Sequence, residues 1–114
     1  MINQNDLRIG NYINSKLLGS NHKITGLLSN MLYTDLQLSY SDYADWQPIP
    51  LTVEILDKIN WGGYIKFNIG SYFKIDDVGH LYYRSDYSGV NIDYLHQLQN
   101  FYYLLRGIEL EIVW

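Results

Sequence analysis

The most regular hydrophobic pattern in the chain lies near its C-terminus and predicts a helix. Apolar residues recur there at intervals of three or four positions, at Leu95, Leu98, Tyr102 and Leu105. This spacing places them in one stripe along a helix. We expect Asp93 to cap a helix that runs from Tyr94 to Arg106, and Gly107 to end it. Acidic residues alternate with bulky apolar residues within residues 109–114, which predicts a terminal strand.

The first half of the chain contains short runs in which apolar and polar residues alternate, a pattern typical of half-buried strands. We predict strands over Leu7–Ile13, Lys23–Leu28 and Met31–Leu38. Ser29-Asn30 joins the last two, and a polar turn containing Gly19 follows the first. Several short strands in succession predict a small antiparallel, β-rich half, for which an SH3-like partial barrel is one arrangement.

The chain's two prolines, Pro48 and Pro50, mark the clearest break between two halves. Thr52 follows them as the predicted N-cap of a short helix whose first turn carries Glu54. Gly62-Gly63 is predicted to end this helix.

Beyond the short helix, the pattern predicts a meander of strands over Tyr64–Asn68, Tyr72–Asp76 and His80–Arg84. The turn at residues 77–79, with Gly79 in a left-handed conformation, pairs Ile75 with Leu81. We prefer a three-residue turn over residues 69–71 to a two-residue turn, because it keeps the apolar side chains of the meander on one face.

Together these elements predict a single α+β domain over residues 1–114. Its length of 114 residues and apolar fraction of 47% suit one folded domain. The absence of cysteine excludes disulfides and thiolate zinc sites. The sequence has neither a signal-peptide pattern nor an apolar run of the ~18 residues needed to span a bilayer. We therefore expect a cytoplasmic protein that does not bind membranes.

Tyrosine dominates the aromatic residues, with 12 Tyr against 3 Phe. In the preferred register, tyrosines and cations share one outward face of the meander, namely Tyr64, Lys66, Tyr72, Lys74, Tyr82 and Arg84. Rings interleaved with cations suit single-stranded nucleic acid, and tyrosine with arginine suits a protein partner. The alternative is a solvated or covered sheet face. The net charge of −4 gives no basic footprint for duplex DNA.

The segment over residues 39–47 is predicted to be an acidic, aromatic loop. Asp42, Tyr43, Asp45 and Trp46 make it a second candidate recognition site, because long loops in small domains are often functional. Alternatively, Tyr43 or Trp46 folds back and covers the core.

Catalytic signatures are missing from the sequence. There is no glycine-rich phosphate loop, no nucleophile elbow and no pair of histidines at metal-binding spacing. His22, His80 and His96 are far apart in the sequence. Asp76-Asp77 lies at a predicted hairpin, where aspartate is a common turn residue. We predict no catalytic residue, no cofactor and no metal site. An enzyme centred on His96 is the third and least favoured hypothesis.

Three stretches carry a resemblance to a known group of proteins. They are Leu7-Arg8-Ile9-Gly10-Asn11, Ile49-Pro50-Leu51-Thr52 and His96-Gln97-Leu98-Gln99-Asn100. This combination resembles a family of small uncharacterised proteins from Bacteroides-type bacteria and their phages and prophages. The resemblance covers essentially the whole chain, although Ile108 departs from the acidic residue of the family pattern. It implies phage or mobile-element biology and transfers no activity.

The last of these blocks contains polar residues that helix packing does not explain, chiefly His96, Gln97 and Asn100. They either bond to a neighbouring loop, a structural role, or form a site for a ligand or partner.

We therefore predict a non-enzymatic protein-binding module. The resemblance implies a phage- or mobile-element-derived accessory protein that modulates a host protein, including defence machinery in the manner of an anti-CRISPR protein. A single-stranded nucleic acid is the less favoured partner. The terminal strand, Leu110–Trp114, offers an edge with which a second copy could pair.

Overall fold

The computed structural model describes residues 4–29, 31–35, 41–60, 73–84 and 86–114. These residues form an α+β structure, as predicted from the sequence. The chain divides into two compact units, Met1–Ile49 and Pro50–Trp114. The boundary falls between the two prolines that predicted it.

The first unit contains a five-stranded antiparallel sheet. Its strands are β1 (Tyr12–Ser15), β2 (Asn21–Leu27), β3 (Met31–Thr34), β4 (Ser41–Asp42) and β5 (Trp46–Gln47). The order β4-β3-β2-β1-β5 means that β5 returns to pair with β1. A 3-10 turn, Tyr43–Asp45, lies immediately before β5. This order, with a turn ahead of the last strand, is consistent with the SH3-like arrangement.

The predicted first strand begins later than expected, at Tyr12. Residues before it form a tight turn in which Arg8 N–H donates to Asn11 Oδ1 at 2.7 Å, and Asn11 N–H donates to Arg8 O at 3.0 Å. Gly10 adopts a φ of 100° in this turn. Because the turn satisfies these polar groups locally, Asn11 can be fully buried.

Apolar side chains from the strands meet in one core in the first unit. Its buried members are Leu7, Ile13, Ile24, Leu32 and Trp46. A bulge in β2 shifts the pairing with β3 between Ile24 and Gly26. A Cβ on Gly26 would lie 3.1 Å from Tyr33 Cδ2, so glycine allows the close approach.

The second unit contains two helices and five strands among its described residues. They are α1 (Val53–Asp57), β6 (Ile59–Asn60), β7 (Phe73–Ile75), β8 (His80–Tyr83), β9 (Asp86–Asn91), α2 (Leu95–Arg106) and β10 (Glu111–Ile112). Strands β7, β8 and β9 form one antiparallel sheet, and β6 pairs with β10. Thr52 Oγ1 accepts a hydrogen bond from Ile55 N–H, which confirms the predicted cap of α1. Helix α1 ends with Lys58 as its C-cap, whereas Gly62-Gly63, predicted to end it, lies outside the described residues.

The β7–β8 hairpin has the predicted register. Phe73 pairs with Tyr83, Lys74 with Tyr82, and Ile75 with Leu81. Gly79 adopts a φ of 86° in the connecting turn. The predicted strand over residues 64–68 and the turn over residues 69–71 lie outside the described residues.

Strand β9 was not predicted. Its residues are all exposed, so no apolar alternation marks it in the sequence. Its register also shifts, because Tyr82 pairs with Tyr87 whereas Leu81 pairs with Val90. Ser88 occupies the resulting bulge, where its hydroxyl donates to Leu81 O at 2.6 Å and accepts from Val90 N–H at 3.2 Å.

Helix α2 starts one residue later than predicted, with Tyr94 at the N-cap. The predicted cap by Asp93 is wrong. Instead, Oε1 of Gln97 accepts hydrogen bonds from the N–H groups of Asp93 and Tyr94, at 3.0 and 3.1 Å. Gly107, with a φ of 69°, ends the helix as predicted.

The buried side of α2 differs in part from the predicted stripe. Leu95, Leu98 and Tyr102 are buried, whereas Leu105 is 37% exposed. Phe101 of α2 packs against Phe73 of β7, with ring centroids 5.3 Å apart. Helix α2 therefore lies on the apolar side of the meander.

Candidate functional site

The carboxylate of Asp76 organises the β7–β8 hairpin. Its Oδ1 accepts hydrogen bonds from the N–H groups of Val78, at 3.1 Å, and His80, at 2.8 Å. Its Oδ2 accepts a hydrogen bond from the Tyr82 hydroxyl at 3.3 Å and lies 3.3 Å from His80 Nδ1. The partly exposed carboxylate of Asp76 thus positions the side chains of His80 and Tyr82, which lie on the same side of the sheet.

Four side chains form what we call the aromatic face of the β7–β9 sheet: Lys74, His80, Tyr82 and Tyr87. Lys74 and Tyr87 are the cross-strand partners of Tyr82, and His80 lies two positions before it on the same side of β8. The ring of Tyr87 lies 5.1 Å from His80 and 5.7 Å from Tyr82, between centroids. These separations are typical of packed aromatic pairs.

The aromatic face is exposed and its tyrosines are held by hydrogen bonds. Tyr87 is 49% exposed, and the side chain of His80 is 41% exposed. The Tyr87 hydroxyl donates to Asn91 Oδ1 at 2.6 Å. Burial, the charge of Asp76 and the hydrogen bond to it raise the pKa of Tyr82, so its hydroxyl keeps its proton and remains a donor.

The structure brings together only part of the predicted meander surface. Lys74 and Tyr82 lie side by side as predicted, whereas Tyr64, Lys66 and Tyr72 lie outside the described residues. Arg84 has a φ of 58° and places its guanidinium 5.5 Å from the ring of Tyr83. Tyr83 is the partner of Phe73, on the opposite side of the sheet, so Arg84 does not extend the aromatic face.

Sequence reasoning missed two members of the aromatic face. Tyr87 was missed because β9 was not predicted. His80 was detectable, since it precedes Tyr82 by two positions in a strand that was predicted.

The described part of the segment predicted as an acidic recognition loop, residues 41–47, contains β4, a 3-10 turn and β5. Trp46 is 2% exposed and lies in the core. The Tyr43 hydroxyl donates to Leu28 O at 2.8 Å, and burial raises the pKa of Tyr43. Asp42 Oδ1 accepts from Ala44 N–H at 2.9 Å and caps the turn, whereas Asp45 is exposed. The alternative in which the aromatic residues cover the core therefore describes this segment.

The polar block of α2 is largely structural in its placement. Gln97 holds the start of the helix, as described above. His96 is 3% exposed and its ring stacks on Tyr94 with centroids 5.9 Å apart. Gln99 is 1% exposed, and Asn100 is half-buried. A group as enclosed as His96 has little access to a substrate in solution.

The first unit contains a constellation that the sequence did not reveal. Ser20 Oγ lies 2.6 Å from His22 Nε2, and His22 Nδ1 lies 3.1 Å from Asp35 Oδ1. Ser20 ends the β1–β2 loop, His22 is the second residue of β2, and Asp35 directly follows β3. The predicted hairpin of the second and third strands could have indicated this group. Antiparallel pairing places residues near the start of the second strand, such as His22, beside residues towards the end of the third, such as Asp35.

No protein-family model, curated protein or solved structure matches the chain. The resemblance to small proteins of Bacteroides-type bacteria and their phages therefore stays a prediction.

Two further observations bear on the kind of site that the described residues form. Among them, no helix is long and apolar enough to cross a bilayer. Within the same ranges, no three of the side chains that commonly bind metals lie close enough together to hold one ion.

Proposed function

We propose that this chain is a protein-binding module and that the aromatic face is its contact surface. The observation that carries the proposal is the exposed cluster of His80, Tyr82 and Tyr87 rings, with both tyrosine hydroxyls already hydrogen-bonded within the sheet. Tyrosine is enriched in the parts of interfaces that contribute most to affinity. Because these rings are held in place before binding, little side-chain entropy is lost when a partner covers them.

The charges on the described part of this face favour a protein over a nucleic acid. Tyr82, the cross-strand partner of Lys74, is hydrogen-bonded to the acidic Asp76, and the Arg84 guanidinium lies against Tyr83 on the other side of the sheet. The chain also has a net charge of −4. A single-stranded nucleic acid would need several cations along its path, with rings between them.

The family resemblance supports a more specific version of the proposal. Small proteins of phages and mobile elements often act by binding a host protein. The partner proposed here is accordingly a protein of the bacterial host cytoplasm, with defence proteins of the CRISPR type as one class to test. The family resemblance alone supports this choice of partner.

Substitutions on the aromatic face test the proposal quantitatively. A partner captured by the wild-type chain is titrated against the wild type, Tyr87→Ala and Tyr103→Ala. Tyr103 is the matched control, since it is 43% exposed on α2. We expect Tyr87→Ala to weaken the affinity about 30-fold, the effect of losing a contact worth about 2 kcal/mol, and Tyr103→Ala to leave it unchanged.

Two results would contradict the proposal. One is a saturable partner whose affinity is the same for Tyr87→Ala as for the wild type. The other is binding to short single-stranded oligonucleotides, measured by fluorescence anisotropy, that weakens both with added salt and with Lys74→Ala. The second result would favour the nucleic-acid alternative.

A further inference from the structure

We propose that Ser20, His22 and Asp35 form a hydrolytic site in which the Ser20 hydroxyl attacks carboxylic esters. This activity goes beyond the proposed protein binding, which uses residues of the second unit, and neither proposal depends on the other. It also departs from the sequence-based expectation of no catalytic residues.

The three side chains are connected in the order that a nucleophilic serine requires. His22 Nδ1 lies 3.1 Å from Asp35 Oδ1, and an ionised carboxylate only accepts hydrogen bonds, so Nδ1 carries the ring proton. His22 Nε2 is then an acceptor, and it lies 2.6 Å from Ser20 Oγ. This is the arrangement in which imidazole acts as a general base and a carboxylate holds its tautomer.

The imidazole of His22 is held on a third side by the core. Its ring lies edge-on to Trp46, with centroids 5.9 Å apart and an interplanar angle of 80°. Only 15% of the His22 side chain is exposed, whereas Ser20 is exposed. The base is therefore shielded and oriented, and the nucleophile is open to an incoming substrate.

The backbone that carries Ser20 is anchored at Ser20 itself and at the preceding residue, Gly19. Ser20 O accepts a hydrogen bond from Ser15 N–H at 2.9 Å, and Gly19 O accepts one from Asn14 Nδ2 at 3.0 Å. A fixed nucleophile lowers the entropic cost of reaching the attacking geometry. The same loop exposes Leu17 by 90% and Leu18 by 58%, which favours substrates with an apolar acyl chain.

The reaction balances with water as the only co-reactant. Ser20 Oγ forms a bond to the ester carbonyl carbon while its proton passes to His22 Nε2. The ester C–O bond breaks, and the leaving oxygen takes that proton, which leaves an acyl group on Ser20. Water then attacks the acyl carbon and gives a proton to Nε2. The bond between the acyl carbon and Ser20 Oγ then breaks, Oγ takes the proton from Nε2, and the carboxylic acid departs.

Hydrolysis of p-nitrophenyl butyrate by the full chain tests the site. We expect Ser20→Ala to lower kcat/KM at least about 100-fold, because it removes the nucleophile and with it the proton transfer to His22. Ser29→Ala, at another exposed serine of the first unit, should leave it unchanged. A fluorophosphonate reagent should label Ser20, as identified by peptide mass spectrometry. Wild-type hydrolysis by Ser20→Ala, or labelling at a different residue, would overturn the proposal.

Asp35 is a positioning residue in this scheme, and its test separates that role from a structural one. In Asp35→Asn the amide donates to Nδ1, which forces the ring proton onto Nε2 and removes the acceptor for Ser20. We expect kcat to fall at least 10-fold with KM unchanged, and Asp35→Glu to restore part of it. Asp45→Asn, at an exposed carboxylate of the same unit, is the control. Equal kcat values for Asp35→Asn and Asp45→Asn would exclude the role of Asp35.

Discussion

At the scale of single residues, Asp76 shows how one side chain links a turn to a surface. It accepts hydrogen bonds from two backbone N–H groups of the turn and from the hydroxyl of Tyr82. The same carboxylate thus determines the hairpin conformation and the position of a ring on the aromatic face. A substitution there tests both functions of the residue.

The titration of Tyr82 should depend on the charge of Asp76. Its pKa is raised above 10.0 by burial, by the charge of Asp76 and by the hydrogen bond between them. Asp76→Asn keeps an acceptor for the turn but removes the charge, so we expect the pKa of Tyr82 to fall towards its ordinary value. Tyr43, whose pKa burial alone raises, should not change. NMR of ¹³Cζ-labelled tyrosine follows each hydroxyl separately.

The sign of the pH dependence follows from the direction of this shift. A raised pKa in the folded state means that the folded chain holds the Tyr82 proton more tightly than the unfolded chain does. The resulting stabilisation is fully present below the unfolded pKa and is lost as the pH rises through the folded pKa. Urea unfolding of the wild type and Asp76→Asn between neutral pH and pH ~10.5 measures it. A Tyr82 resonance that titrates identically in both proteins would contradict the assignment.

At the scale of elements, the sequence predicted those helices and strands whose signals lie within the element itself or in the turn next to it. Helix α2 and its end at Gly107 follow from spacing and from one residue type, both of which are contained in the sequence of the element itself. The hairpin of β7 and β8 follows from the turn that joins them. Strand β5 depends on the distant β1 as its partner. Strands β4 and β5 have only two residues each and β9 is exposed along its whole length, so no alternation marks them.

Candidate sites were predictable to the same extent as the elements that carry them. Lys74 and Tyr82 were placed together because their hairpin register was correct. Tyr87 required β9. Ser20, His22 and Asp35 come together through the pairing of β2 with β3, and His22 and Asp35 are separated by 13 positions in the sequence. A polar constellation of this kind leaves no periodic pattern behind.

Two glycines with similar backbone conformations test the packing of the β8–β9 region. Gly79 and Gly89 have φ values of 86° and 84°. A Cβ on Gly79 would lie in contact with Ile92 O, whereas a Cβ on Gly89 would meet no described atom within 4 Å. We expect Gly89→Ala to cost about 1 kcal/mol through backbone strain, and Gly79→Ala to cost at least 2 kcal/mol more. Urea unfolding curves measure both, and equal losses would contradict the close approach at Gly79.

At the scale of the whole molecule, each unit contains a late strand that pairs with an earlier strand of the same unit. The first unit closes when β5 pairs with β1, and the second brings the end of the chain back to β6. In the β6–β10 ladder Glu111 faces Asn60 and Ile112 faces Ile59. The terminal strand, predicted to offer an edge to a second copy, therefore already has one partner within the chain.

Adjacent residues of β10 test the contribution of this closure to stability. Ile112 is 8% exposed and Val113 is 62% exposed. We expect Ile112→Ala to lower the free energy of unfolding by about 2 kcal/mol, and Val113→Ala by less than about 0.5 kcal/mol. Thermal and urea unfolding provide the measurement. Similar values for the two variants would mean that the end of the chain adds little to the second unit.

The return of β5 to β1 also sets an order of events during synthesis. Because Trp46 belongs both to the last strand of the first sheet and to its core, neither is complete until residue 47 has left the ribosome. All strands of that sheet lie before residue 50, so the first unit has its full set of pairing partners while the second is still being translated. Chains elongate slowly compared with the pairing of short strands. A nascent chain stalled a few residues short of Trp46 should thus be far more sensitive to protease than one stalled after the first unit has emerged.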